Sequence, residues 1–124
     1  MFFSQSEQKA WVQHNFGDRL SYMPLLGITE EISELYRFDP KSNHLMYLCE
    51  VIGRLNHHHL KEAQNIRLHE NHKEKIKDCV ADIIIFLSDY CNAREIDMAK
   101  TVGDVWDQVK CRDFKKFPNN GITE

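Results

Sequence analysis

An all-α fold, a bundle of about five helices completed by oligomerisation, is the architecture the sequence predicts. Three observations predict it. Apolar residues recur at intervals of three and four along most of the chain. No stretch shows sustained two-residue alternation bounded by hairpin turns. Capping residues stand in front of most of the apolar stripes.

Ser4 with Glu7 reads as a capping box that opens a first helix, which ends near Gly17. The second helix runs from about Pro24, a good first-turn residue, to about Phe38, and Asp39-Pro40 stops it. Leu25, Ile28, Ile32, Leu35 and Tyr36 form its buried stripe. A third helical region covers Ser42 to Gln64, with Leu45, Leu48, Ile52 and Leu55 in register and Gly53 inside it. Residues from Arg67 to His72 are polar and read as a connection. Asn71 with Glu74 caps a fourth helix reaching about Arg94. Asp97 caps a fifth, with Met98, Val102, Val105, Trp106 and Val109 facing inward. Pro118-Asn119-Asn120-Gly121 belongs to a loose tail over 117–124.

At 124 residues the chain has the length of one domain, and 1–124 is read as such. A formal charge of -3 gives no electrostatic reason to expect nucleic acid or an anionic membrane as partner. The opening Met1-Phe2-Phe3-Ser4-Gln5-Ser6 has no basic region before a long apolar core, and the longest apolar run, Ile83 to Leu87, is far short of a membrane span. Cys49, Cys79, Cys91 and Cys111 are scattered without a CxxC pair, as expected of reduced thiols in a cytoplasmic protein. The second and third helices also echo each other at an offset of 20 residues, Leu25-Leu26-x-Ile28 against Leu45-Met46-x-Leu48 and Glu30-x-Ile32 against Glu50-x-Ile52. Either a duplicated helix or two unrelated amphipathic helices would give this echo.

Two acidic sets carry the chemistry. Glu34 lies beside both Glu30 and Glu31 at helical spacing, with no basic residue before Arg37. On the fourth helix one stripe, Ile76, Cys79, Val80, Ile83, Phe86, Leu87 and Tyr90, is a buried face, while a second holds Asp78, Asp82, Ile85, Asp89 and Asn92. Asp82 stands inside Val80-Ala81-Asp82-Ile83-Ile84-Ile85-Phe86, where its neighbours favour burial. An unpaired carboxylate there would cost several kcal/mol. A divalent cation between the two acidic helices removes that cost, and hard oxygen donors without a Cys/His set suit Mg²⁺, with Mn²⁺ as a substitute. The alternative is that Asp82 pairs with a lysine or arginine, or reaches solvent.

Glu30-Glu31-Ile32-Ser33-Glu34-Leu35 and Asp78-Cys79-Val80-Ala81-Asp82-Ile83 resemble, in that order, the EExxE helix and the acidic apolar helix of the MazG-like all-α nucleoside triphosphate pyrophosphohydrolases. Pro24-Leu25-Leu26-Gly27-Ile28, Leu60 to Arg67, and Val109 to Phe114 extend the resemblance over about three quarters of the chain. It implies Mg²⁺-dependent hydrolysis of a nucleoside triphosphate to monophosphate and pyrophosphate by a homodimer or homotetramer. By matched position Glu31, Glu34 and Asp82 would hold the metal, and Glu30 and Asp78 would add ligands or orient water. Lys61, Arg67 and Arg112 would contact phosphates, or are ordinary surface charges. Trp11 and Asn15, with Phe16, would form a base-recognition wall or core packing, and Asn92 completes the substrate-binding set.

The chain departs from that pattern in three places. Cys79 stands where the common ExxD pair has its first acid. Residues from about Arg37 to Asn56 look like an insertion, and Glu50-Val51-Ile52-Gly53-Arg54-Leu55 within it is a rival alignment of the acidic helix with acids lost at Cys49 and Arg54. Glu95 stands where relatives tend to have glycine, so a left-handed cap there is strained. These departures motivate a second reading, a catalytically degenerate module that binds nucleotide or protein. A third is a helical zinc-binding adaptor. Against the third, His57, His58 and His59 are consecutive on a helix and point in different directions, so they are expected at the surface or packed beside a base rather than in one compact site.

Overall fold

The computed structural model describes residues 2–18 and 20–124, and among them it is all-helical, with five α-helices and no strand. The helices are α1 (Gln5–Phe16), α2 (Tyr22–Phe38), α3 (Asn43–Ala63), α4 (His72–Ala93) and α5 (Met98–Val109), with a 3₁₀ turn at Leu68–Glu70. None is long and apolar enough to cross a membrane. The chain divides into two compact units, Met1–Leu20 with Glu95–Glu124, and Ser21–Arg94.

Most helix ends follow from side-chain chemistry legible in the sequence. The Ser4 hydroxyl accepts the Glu7 N–H at 3.2 Å, Ser42 accepts the Leu45 N–H at 3.3 Å, and Asp97 accepts the Lys100 N–H at 3.1 Å. Each satisfies one of the orphan donors of a first turn. Gly17 closes α1 with φ +67°, a value that glycine adopts without steric cost. α2 starts two residues before Pro24, which still falls in the first turn, where its missing N–H is not needed. α3 runs unbroken through Gly53 and the three histidines.

Asn71 differs from expectation. Its backbone is left-handed (φ 54°, ψ 62°) and its side chain makes no capping bond to α4. Side-chain capping needs an extended backbone at that position, which aims the side-chain oxygen at the next donors. Glu95 does adopt the left-handed conformation, φ 57°, that its position implied.

Ser21–Arg94 is a three-helix unit in which α3 lies centrally, packed along α4 and against α2. Leu45, Leu48 and Val51 of α3 are fully buried, and Ile32, Ile52, Leu55, Cys79, Ile83 and Tyr90 complete the core. The echo between α2 and α3 therefore ends in unequal burial: Leu48 is 0% exposed, and its counterpart Ile28 is 39% exposed.

The other unit is tied by aromatic rings. Trp11 meets Phe16, Trp106 and Phe114 edge to face, with centroids 5.8, 5.9 and 6.2 Å apart. Its tail is hydrogen-bonded locally. The Asp113 N–H donates to the Gly121 carbonyl at 2.8 Å, the Gly121 N–H to the Phe117 carbonyl at 2.8 Å, and the Asp113 carboxylate accepts from the Lys115 and Lys116 N–H groups. In 117–124, which the polar composition reads as a loose tail, local hydrogen bonds engage several backbone groups. A Cβ on Gly121, which has φ +77°, would lie 2.6 Å from the Cβ of Arg112, so glycine is required at that close approach.

Candidate functional site

α4 presents two different faces to its neighbours, because adjacent residues on a helix point about 100° apart. Ile83, Ile84 and Leu87 line an open apolar groove of about 720 Å³ with Gly27, Ile28, Ile32, Leu35 and Phe38 of α2, and Glu31 and Glu34 stand on the same groove. Asp78, Cys79 and Asp82 instead line a polar recess of about 440 Å³ with Arg54 and His58 of α3 and Lys75 of α4. The two acidic sets thus border different spaces. Among the described residues, Glu30, Glu31, Glu34, Asp78 and Asp82 form no group of three whose donor atoms lie within 4.8 Å of one another.

Asp82 is not in an apolar interior. Its side chain is 41% exposed, and Val80, Ile84 and Ile85 beside it are at least half exposed. The apolar run overstated burial because part of α4 is left uncovered within this unit. The partner of Asp82 is Arg54, whose guanidinium lies 3.5 Å from its carboxylate and 3.7 Å from that of Glu50, four residues earlier on α3. Half-exposed pairs of this length contribute under about 1 kcal/mol each, so they do little for stability. Their consequence is positional. An ion such as Mg²⁺ must sit about 2.1 Å from a carboxylate oxygen, in space that the guanidinium already borders, and the two cations repel.

Cys79, at the place of an expected acid, is 2% exposed. Burial pushes its thiol pKa up, with the Asp82 and Asp78 carboxylates adding to the rise and Arg54 opposing it. It faces the recess as a neutral thiol, unable to serve as a hard oxygen ligand.

The substrate-binding candidates are spread over both units. Lys61 reaches Gln64 at 3.5 Å, and Arg67 lies 3.7 Å from Glu70. Asn92 is exposed near the end of α4. Trp11 and Asn15 belong to the other unit with Arg112, and there they serve packing. The Trp11 indole N–H donates to the Arg112 carbonyl at 3.0 Å. Asn15 is buried, donates to the Trp11 carbonyl at 2.9 Å and accepts from the Phe114 N–H at 2.6 Å. Their hydrogen-bonding groups are thus engaged within the unit, which is the packing alternative of the two that the sequence offered.

A second cluster was not foreseen. His57 Nε2 lies 2.8 Å from Glu70 Oε1, His58 Nδ1 lies 3.9 Å from the same oxygen, and His58 Nδ1 lies 3.0 Å from His72 Nδ1. The hydrogen bond from His57 holds the Glu70 carboxyl below its usual pKa, while burial, with the neighbouring His57 and His72 imidazoles, lowers that of His58. The three consecutive histidines do not share one compact site, as expected, but two of them converge on Glu70. Two rings 100° apart can both swing toward a point between them, whereas a third lies too far round the helix. His59 accordingly lines a separate apolar groove with Tyr22, Leu25 and Leu26. Glu70 and His72 escaped notice because the sequence reads them as part of a polar connection, whereas Glu70 lies in a turn, and His72 opens the helix, where the chain doubles back on α3. That reversal uses left-handed backbone at Asn65, Arg67 and Asn71, which no turn signature announced.

Known protein families, curated proteins and solved structures give no match to the chain.

Proposed function

We propose that the chain is a MazG-like helical module that acts by binding, without Mg²⁺-dependent hydrolysis of nucleotide, and that it self-associates through the groove between α2 and α4. The observation that carries this reading is the position of Arg54. Its guanidinium stands between Glu50 and Asp82, where the rival alignment of the acidic helix would put an acid and a metal ion. The recess holds Arg54 and Lys75 against Asp78 and Asp82, so it offers no excess of positive charge to draw a triphosphate.

Self-association answers to the apolar surface. Phe38 and Ile84, which line the α2–α4 groove, are at least half exposed, and the groove is almost wholly apolar apart from its two glutamates. Sedimentation velocity tests this. The wild-type chain is expected to form a discrete oligomer that Ile84→Asp shifts to monomer, while Ile122→Asp, an exposed change in the other unit, has no effect. A wild-type protein that stays monomeric at high micromolar concentration contradicts the reading.

The pyrophosphohydrolase remains a second reading, favoured by one observation: Glu30, Glu31 and Glu34 form an intact exposed EExxE run on α2. It requires α2 to bring those acids to Asp78 and Asp82. Mg²⁺-dependent release of pyrophosphate separates the two readings.

A further inference from the structure

We propose that His57, His58 and Glu70 form a site for one divalent transition-metal ion of the zinc class, with His72 beside His58 as the nearest further donor, tying the end of α3 to the turn before α4. The proposal is independent of whether the chain hydrolyses nucleotide. Nitrogen and oxygen atoms from His57, His58 and Glu70 all lie within 4.8 Å of one another. The closest separations, 2.8 Å from His57 Nε2 to Glu70 Oε1, 3.0 Å from His58 Nδ1 to His72 Nδ1 and 3.9 Å from His58 Nδ1 to Glu70 Oε1, bracket the spacing of ligands on a tetrahedral ion. With metal–ligand bonds near 2.0–2.1 Å, tetrahedral donors stand about 3.3 Å apart.

His72 supplies a second, independent observation. It is 4% exposed, and its Nε2 lies 2.8 Å from the Ile66 carbonyl. A carbonyl only accepts, so Nε2 carries the proton and Nδ1 turns its lone pair toward His58. Metal-bound histidines are commonly oriented in this way, with the remote ring N–H donated to a backbone carbonyl. Two imidazoles and one carboxylate, with a third imidazole next to them, select a borderline ion such as Zn²⁺ over Mg²⁺ or Ca²⁺. Without metal, the same atoms form a hydrogen-bonded cluster in which His57 Nε2–H donates to Glu70 and His58 Nδ1–H donates to His72 Nδ1. Binding would then move two protons, from His57 Nε2 and His58 Nδ1, each to the other nitrogen of its ring or to solvent, and leave His72 in its present tautomer.

The test is calorimetric titration of Zn²⁺ into tag-free protein freed of metal by chelator and dialysis, with Co²⁺ absorption reporting the geometry. One ion per chain is expected, with the intense visible bands of tetrahedral Co²⁺ and no competition from millimolar Mg²⁺. Glu70→Gln keeps an acceptor for His57 and is expected to weaken binding about tenfold or more. His59→Ala, outside the cluster, is expected to bind as wild type does. Should Glu70→Gln prove misfolded by circular dichroism, His57→Gln, at a half-exposed position, carries the same expectation. Absence of stoichiometric uptake by the wild type, or unchanged affinity in a folded cluster variant, overturns the proposal.

Discussion

Replacing Arg54 with glutamate is expected to convert the recess between α3 and α4 into a divalent-cation site. The substitution removes the cation that faces Asp82 at 3.5 Å and sets a carboxylate one turn from Glu50 and opposite Asp78 and Asp82. Hard oxygen donors in that number suit Mg²⁺, which binds through a few carboxylates and keeps several waters. Without Mg²⁺ the variant is less stable than wild type, because it loses two weak pairs and gains like-charge repulsion. With Mg²⁺ at about 100 times the dissociation constant, binding to the folded state adds about 2.7 kcal/mol. Thermal melts read both effects. The Arg54→Glu variant should gain several degrees on adding Mg²⁺, and the wild type should gain none. Equal Mg²⁺ stabilisation of both proteins would show that Arg54 does not control the recess.

The largest loss of stability is expected at the centre of α3. Leu48 is fully buried among the core residues of α2, α3 and α4. Leu48→Ala removes its transfer energy and leaves a cavity that tightly packed helices only partly close, at a cost of about 3–5 kcal/mol. Ile85→Ala makes the contrast. Its side chain is 63% exposed although it stands in the longest apolar run of the chain, and truncation there costs under about 0.5 kcal/mol. The midpoint of urea unfolding, compared at constant m, distinguishes them. A similar small shift for both would mean that α3 is not the core helix.

Ile85 and Leu48 also mark how far the sequence could be read. Helix number, order and ends followed from local rules, because capping by Ser4, Ser42 and Asp97 and the termination at Gly17 act over three or four residues. Which helix occupies the centre does not follow from periodicity. α2 and α3 carry nearly the same apolar pattern, and burial is decided by tertiary packing that periodicity does not encode. The EExxE run of α2 was the better motif, yet α3 faces Asp78 and Asp82. The same gap explains Asp82, whose apolar neighbours resembled a core and form instead a partly uncovered face. The histidine cluster needed a chain reversal through Asn65, Arg67 and Asn71, left-handed residues that are not glycine. Trp11 and Asn15 read as a base-recognition wall or core packing, and the choice is not legible because Phe114, which engages both, lies about a hundred residues away in sequence.

The most direct test of the central claim is pyrophosphate release from a panel of ordinary and modified nucleoside triphosphates, at high protein concentration, with and without Mg²⁺. The position of Arg54 predicts no Mg²⁺-dependent release by the wild-type chain. Sustained release that needs Mg²⁺ and disappears in folded Asp82→Asn would contradict it, and would return the acids of α2 or α3 to a working metal centre.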